Sequence, residues 1–195
     1  SGSSAGSASG VAAGLFGFAI GTETLGSIVS PSDRCGTAGL RPTFGRVART
    51  GAMALVWSMD KIGAIARSVE DTGFVLAAIN GADDGDPSSV NEPFTWSAGQ
   101  DAKGLLLGYD PRWCRDNPYA ETATAAVEAA RRVGVEIIEI GVPRLDASAI
   151  IAILTAEAAA AFDLLTRRDV DDQLSWQDDE AWPNTFRRAR FLSSV

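Results

Sequence analysis

Histidine is absent from the 195-residue chain, and that absence excludes more chemistry than any other. Neither a Ser-His-Asp triad nor a Cys-His pair can be built from these residues. A serine nucleophile here needs another activator, for which lysine is the known substitute. Lysine itself is scarce, limited to Lys61 and Lys103. Cysteine occurs twice, at Cys35 and Cys114, too few for a disulfide framework and without zinc-ligand spacing. Both read as free thiols.

Positive charge is in deficit as well. A formal net charge of −8 argues against nucleic acid as a direct partner, because phosphate binding needs a basic face. No uninterrupted apolar run approaches the length of a membrane span. The first residues show no basic n-region of a signal peptide, so the expected location is cytoplasmic.

What is present is enough for a real core, with 46% hydrophobic residues. Serine and glycine crowd the first thirty residues. Ser1-Gly-Ser-Ser-Ala-Gly-Ser7 and Gly21-Thr-Glu-Thr-Leu-Gly-Ser27 flank an apolar segment, Val11 to Ile20. Glycine allows sharp turns and close approach to a ligand. A loop whose N–H groups converge just before a serine is what acyl transfer needs to hold an oxyanion.

The patterning predicts a helix over residues 9–16, a short buried strand over 17–20, and a helical turn plus extended segment over 31–42. Residues 45–65 read as loops and short strands. Ser68-Val-Glu-Asp71 predicts a capped helix start, with Gly81 as its stop. The acidic run Asp83 to Asp86 reads as a solvated turn within a linker, Ala82 to Gln100. Strand 103–109, helix 119–133 and strand 135–140 form a β-α-β unit of a parallel sheet. A long Ala-rich helix is expected over 150–167, and the Trp176/Trp182 region is expected to pack in a core or interface. The expected class is therefore α/β, with a mixed, largely parallel twisted sheet flanked by helices.

The two serine-glycine blocks, with Ile28-Val29-Ser30-Pro31 and Cys35-Gly-Thr-Ala-Gly-Leu-Arg-Pro-Thr-Phe-Gly-Arg-Val47 after them, resemble the amidase signature. The resemblance runs without a gap from Ser1 to Val47. It implies an internal part of one amidase domain, with a signature core over 1–50 and the remainder over 51–195. It further implies Ser27 as the nucleophile and Ser3 as the proton relay, held by a cis peptide bond, with Ser4 as a weaker second candidate. The two stand 24 positions apart, the separation the family uses. On spacing alone Ser27 could equally cap the next helix.

By the same resemblance the backbone N–H groups of Thr24, Leu25, Gly26 and Ser27 form the oxyanion hole. The family's catalytic lysine lies many tens of residues before the first block, and neither Lys61 nor Lys103 matches it. Leu25 replaces a glycine, at a cost of about 1–2 kcal/mol if that position needs positive φ; Val29 replaces an arginine. The implied reaction is hydrolysis of a small-molecule linear amide through a serine acyl-enzyme, without metal or organic cofactor. A homodimer is compatible with this reading. The alternatives are the glutaminase component of a tRNA-dependent amidotransferase with its partner subunits, or a non-catalytic relic. A Gly-rich anion-binding module is disfavoured, because Gly26-Ser27-Ile28 lacks the lysine that such a loop needs.

Overall fold

The computed structural model describes residues 2–97, 99–143 and 146–192. Helix α1 (Ala5–Ala12) leads into strand β1 (Phe18–Glu23), helix α2 (Val29–Cys35) and strand β2 (Ala38–Leu40). Strand β3 (Lys61–Ala66) and helix α3 (Val69–Ile79) follow. Then come β4 (Leu106–Tyr109), α4 (Ala120–Arg132), β5 (Glu136–Glu139), α5 (Ser148–Ala161), α6 (Asp163–Arg167) and α7 (Trp182–Ala189).

These elements make two compact units, Ser1–Trp96 with Ala147–Val195, and Ser97–Asp146. In the first, the sheet order is β1-β3-β2. Both pairings are antiparallel, with Glu23 opposite Lys61 at one end and Phe18 opposite Ala66 at the other. The α/β class stands; among the described residues the strands of this sheet pair antiparallel, and the parallel strand pair, β4 with β5, lies in the second unit. The later strand β3 lies between β1 and β2, and both neighbours run against it.

One face of the sheet carries α1 and α2. Ala8, Val11, Ile28 and Ile65 are fully buried there, with Ala19 and Cys35 packed around them. Each large aliphatic side chain so buried contributes roughly 1.5–3 kcal/mol. Helix α3 starts as its sequence predicts: Ser68 accepts the Asp71 N–H at 3.1 Å, with Glu70 and Asp71 in the first turn. Its stop differs slightly, because Asn80 already leaves the helix in an extended conformation ahead of Gly81.

A second cluster joins the 55–59 loop to the returning helices. Val56, Ala158 and Phe186 are buried, with Leu55, Met59, Leu154 and Phe162 against them. The expected single helix over 150–167 breaks at Phe162, whose ring stacks on Phe186 at 4.7 Å. Trp182 stacks on the same Phe186 at 5.5 Å, whereas Trp176 is exposed.

The acidic run corrects a further expectation. Asp86 is buried, not solvated, and takes the Arg49 backbone N–H at 2.9 Å and its Nε at 3.0 Å. Arg46 donates to the carbonyls of Glu92 and Pro93. Residues 83–93 are thus fastened to the first unit, and the division falls only after Trp96.

The second unit is the expected β-α-β motif. β4 and β5 pair in parallel, Leu106 opposite Glu136, with α4 between them in sequence. Asp110, at the end of β4, accepts the Val142 N–H at 3.0 Å beyond β5 and pairs with Arg112. No described helix is long and apolar enough to cross a membrane.

Candidate functional site

The two serine-glycine blocks meet. Gly2 turns at φ 86°, and a Cβ placed on it would lie 2.7 Å from Pro31 Cδ and 3.3 Å from Ser27 Cα. Only a residue without a side chain allows that approach. The Ser4 N–H donates to the Ser27 carbonyl at 3.3 Å. Ser4 is buried, and its hydroxyl both donates to the Thr22 carbonyl and accepts the Thr22 N–H, at 3.1 Å each. Ser4 therefore works as a fastener between α1 and β1, while Ser3 stays exposed.

No peptide bond among the described residues is cis. The cis bond expected at Gly2–Ser3 is absent, and the loop turns through the positive φ of Gly2.

The second block is shaped by Glu23. Its buried carboxylate accepts the Ile28 N–H at 2.8 Å and the Val29 N–H at 3.0 Å. Burial pushes this carboxyl up. The N–H groups of Val29, Ile28 and Gly26, with Arg41 nearby, more than offset it and leave the pKa lowered. Ser27 caps nothing: α2 begins at Val29 with Ile28 at the capping position, and Glu23 satisfies its first N–H groups. Gly26 is left-handed at φ 89°. Leu25 keeps an ordinary φ, since Asp169 is the one described non-glycine residue with positive φ. The strain expected at Leu25 is therefore not incurred.

Of the four N–H groups expected to converge, that of Gly26 is drawn toward Glu23. Those of Leu25 and Ser27 have no hydrogen-bond partner among the described residues. Thr24 is held by its side chain, with Oγ1 donating to Asp60 Oδ1 at 2.5 Å. The other oxygen of Asp60 accepts the N–H groups of Leu55 and Val56 at 2.8 and 2.9 Å. Lys61 Nζ donates to the Thr24 carbonyl at 3.0 Å. Burial and the neighbouring Arg41 lower its pKa, against the raising effect of Glu23 and Asp60.

Beside this loop lies a cavity of about 770 Å³, lined by Ser3, Thr22, Thr24, Trp57, Lys61 and Glu157 among others. That is a volume suited to a small organic ligand. Glu157, on α5, accepts the Ser58 N–H at 3.0 Å and its hydroxyl at 2.5 Å. Ser27 is half-buried and does not line the cavity. Among the described residues, no hydrogen bond joins its hydroxyl to that of Ser3. Asp60, Lys61 and Glu157 carried no local motif in the sequence. Only the register that sets Lys61 opposite Glu23 brings the first two to the loop.

The family described as Amidase matches residues 1–194. The A subunit of glutamyl-tRNA(Gln) amidotransferase from Staphylococcus epidermidis is 41% identical over 148 residues, which cover 73% of this chain and 30% of that protein. Its counterpart from Akkermansia muciniphila is 38% identical over 82% of this chain and 36% of its own length. The chain thus spans about a third of these relatives. Among solved structures, the peptide amidase of Stenotrophomonas maltophilia superimposes with a TM-score of 0.75 at 30% identity, over all of this chain and 45% of that one. The corresponding amidotransferase chain of Thermotoga maritima gives 0.75 at 29% identity, over 88% and 41%.

Proposed function

The chain belongs to the amidase family, and from that premise we propose that it carries the nucleophile and oxyanion loop of a serine amidase acting on a linear carboxamide. One observation supports this reading above the others. Glu23 folds residues 23–29 into a tight loop that leaves the N–H groups of Leu25 and Ser27 without partners among the described residues. Unpaired N–H donors beside a serine are what a tetrahedral oxyanion requires.

In this reading Ser27 Oγ attacks the amide carbonyl carbon, and its proton passes through the Ser3 hydroxyl to a neutral lysine. That lysine comes from residues outside 1–195, so this segment alone does not turn over. The carbonyl π electrons move to oxygen and are held by the 24–27 backbone, chiefly Leu25 and Ser27. Collapse of the adduct expels ammonia or an amine, which takes up the relayed proton, and leaves the Ser27 ester. Water then releases the acid by the reverse proton path. Neither metal nor organic cofactor enters any step.

The test is covalent trapping in the full-length enzyme. A fluorophosphonate should label Ser27 and no other serine, as mapped by mass spectrometry after digestion. Ser27→Ala should abolish labelling and amide turnover, and Ser3→Ala should slow labelling strongly. Adducts on Ser7 or Ser30, or labelling that survives in Ser27→Ala, would refute the assignment.

A second reading has its own support in the identity to the amidotransferase relatives. Here the same chemistry releases ammonia from glutamine and passes it to a partner protein. ATP- and tRNA-dependent transamidation, with copurification of the partner, separates this reading from simple hydrolysis.

A further inference from the structure

We infer that Lys61 is a positioning residue of the acyl-transfer site, its ammonium fixing the Thr24–Leu25 peptide so that the Leu25 N–H is set for the oxyanion. This rests on the reading of Ser27 given above. In a trans peptide the C=O and N–H lie in one plane and point in opposite directions. Holding the Thr24 oxygen at 3.0 Å from Lys61 Nζ therefore fixes the direction of the Leu25 N–H on the far side.

The rest of the geometry supports a device for alignment rather than a chance contact. Asp60 grips the same residue by its hydroxyl at 2.5 Å, so adjacent residues hold Thr24 at two points. Asp60 is in turn anchored to the N–H groups of Leu55 and Val56. Lys61 lies directly across the sheet from Glu23, whose carboxylate holds the other end of the loop at Ile28 and Val29. Two residues facing each other across β1 and β3 thus hold opposite ends of the segment that contains Ser27.

The role differs from that of a base. Lys61 takes no proton in the reaction; it acts through a peptide group, and its loss should appear in kcat rather than in KM. The measurement is the rate of fluorophosphonate labelling of Ser27 in the full-length enzyme, together with kcat and KM on a simple amide. Lys61→Met should slow labelling and lower kcat by roughly 10- to 100-fold, a share of what removing a whole oxyanion donor costs, with KM changed little. Lys61→Gln still offers a neutral donor and should recover most of that loss. Should Lys61→Met not fold, as judged by its thermal midpoint, Lys61→Ser is polar but too short to reach Thr24 and should show the same loss.

Wild-type labelling rates in folded Lys61→Met or Lys61→Ser, with Ser27 still the labelled residue, would overturn this inference and leave the amidase reading intact. A loss that Lys61→Gln fails to repair would also overturn it, pointing to charge or bulk in place of alignment. Failure of the wild-type enzyme to label at Ser27 would overturn both.

Discussion

Glu23 and Ile28 are five residues apart, and the buried carboxylate of the first accepts the backbone N–H of the second at 2.8 Å. That bond turns strand β1 into helix α2 without a capping hydroxyl and puts Ser27 at the bend. Glu23→Gln removes the charge and one acceptor oxygen. Hydrogen bonds to a charged group contribute about 1.5–3 kcal/mol, so Glu23→Gln should lose about that much stability in denaturant melts. It should also slow labelling of Ser27.

Gly26 and Leu25 should respond differently. At Gly26 there is room for a Cβ, its nearest neighbour being Ser30 Cβ at 4.0 Å, but φ is 89°. Gly26→Ala should therefore cost about 1–2 kcal/mol through backbone strain alone. Leu25→Gly relieves no strain, because Leu25 already has ordinary backbone angles. Equilibrium unfolding of the two variants distinguishes them.

The Arg49–Asp86 pair sets a pH dependence. Side-chain hydrogen bonds from Arg49 and Ser88 hold the Asp86 carboxyl well below the usual carboxylate range. A depressed folded-state pKa gives stability that is fully present above the unfolded value, about 3.9. That stability is lost as pH falls further, toward the folded value. Asp86→Asn should lower the thermal midpoint by a constant amount from neutral pH down to about pH 4. The gap to wild type should close progressively in more acid solution.

Phe186 carries the second cluster, stacked between Phe162 and Trp182. Phe186→Ala should cost about 3–5 kcal/mol, the range for truncating a buried aromatic side chain. Trp176→Ala, at an exposed site, should fall within about 0.5 kcal/mol of wild type. Thermal melts of both variants provide the check.

Local signals carried well in this sequence. Ser68 and its acids specify the α3 start because the capping bond spans three residues. The alternation of apolar segments with one Ala-rich helix specifies the parallel pair β4–β5. Long-range relationships carried poorly. Asp86 reads as a solvated turn residue because its partner, Arg49, lies 37 positions earlier. The break at Phe162 has no glycine or proline to announce it; it coincides with ring stacking on a helix some twenty residues on. The antiparallel sheet was hidden for a related reason. Strands as short and as rich in Ala and Gly as β2 and β3 carry little alternation from which pairing could be read.

At the site, the serines and their loops were legible as motifs, and the residues that hold them were not. Glu23 stood inside the second motif, but its hold on Ile28 and Val29 appears only in the structure. Asp60 and Lys61 reach Thr24 only through the pairing of β1 with β3, and Glu157 only through the return of α5. Nothing in the spacing of those three distinguishes them from ordinary surface charges.

The discontinuity of the first unit also has a consequence in time. Ser58 emerges during synthesis well before Glu157, with the whole 97–146 segment translated in between. At elongation rates of about 5–20 residues per second, that interval lasts on the order of 5–20 seconds. Throughout it, the nascent sheet and serine loops can form while Leu55, Val56 and Met59 still await Ala158 and Phe186. A chain stalled before residue 157 would leave that apolar surface open to chaperones and proteases, with the cavity missing one wall.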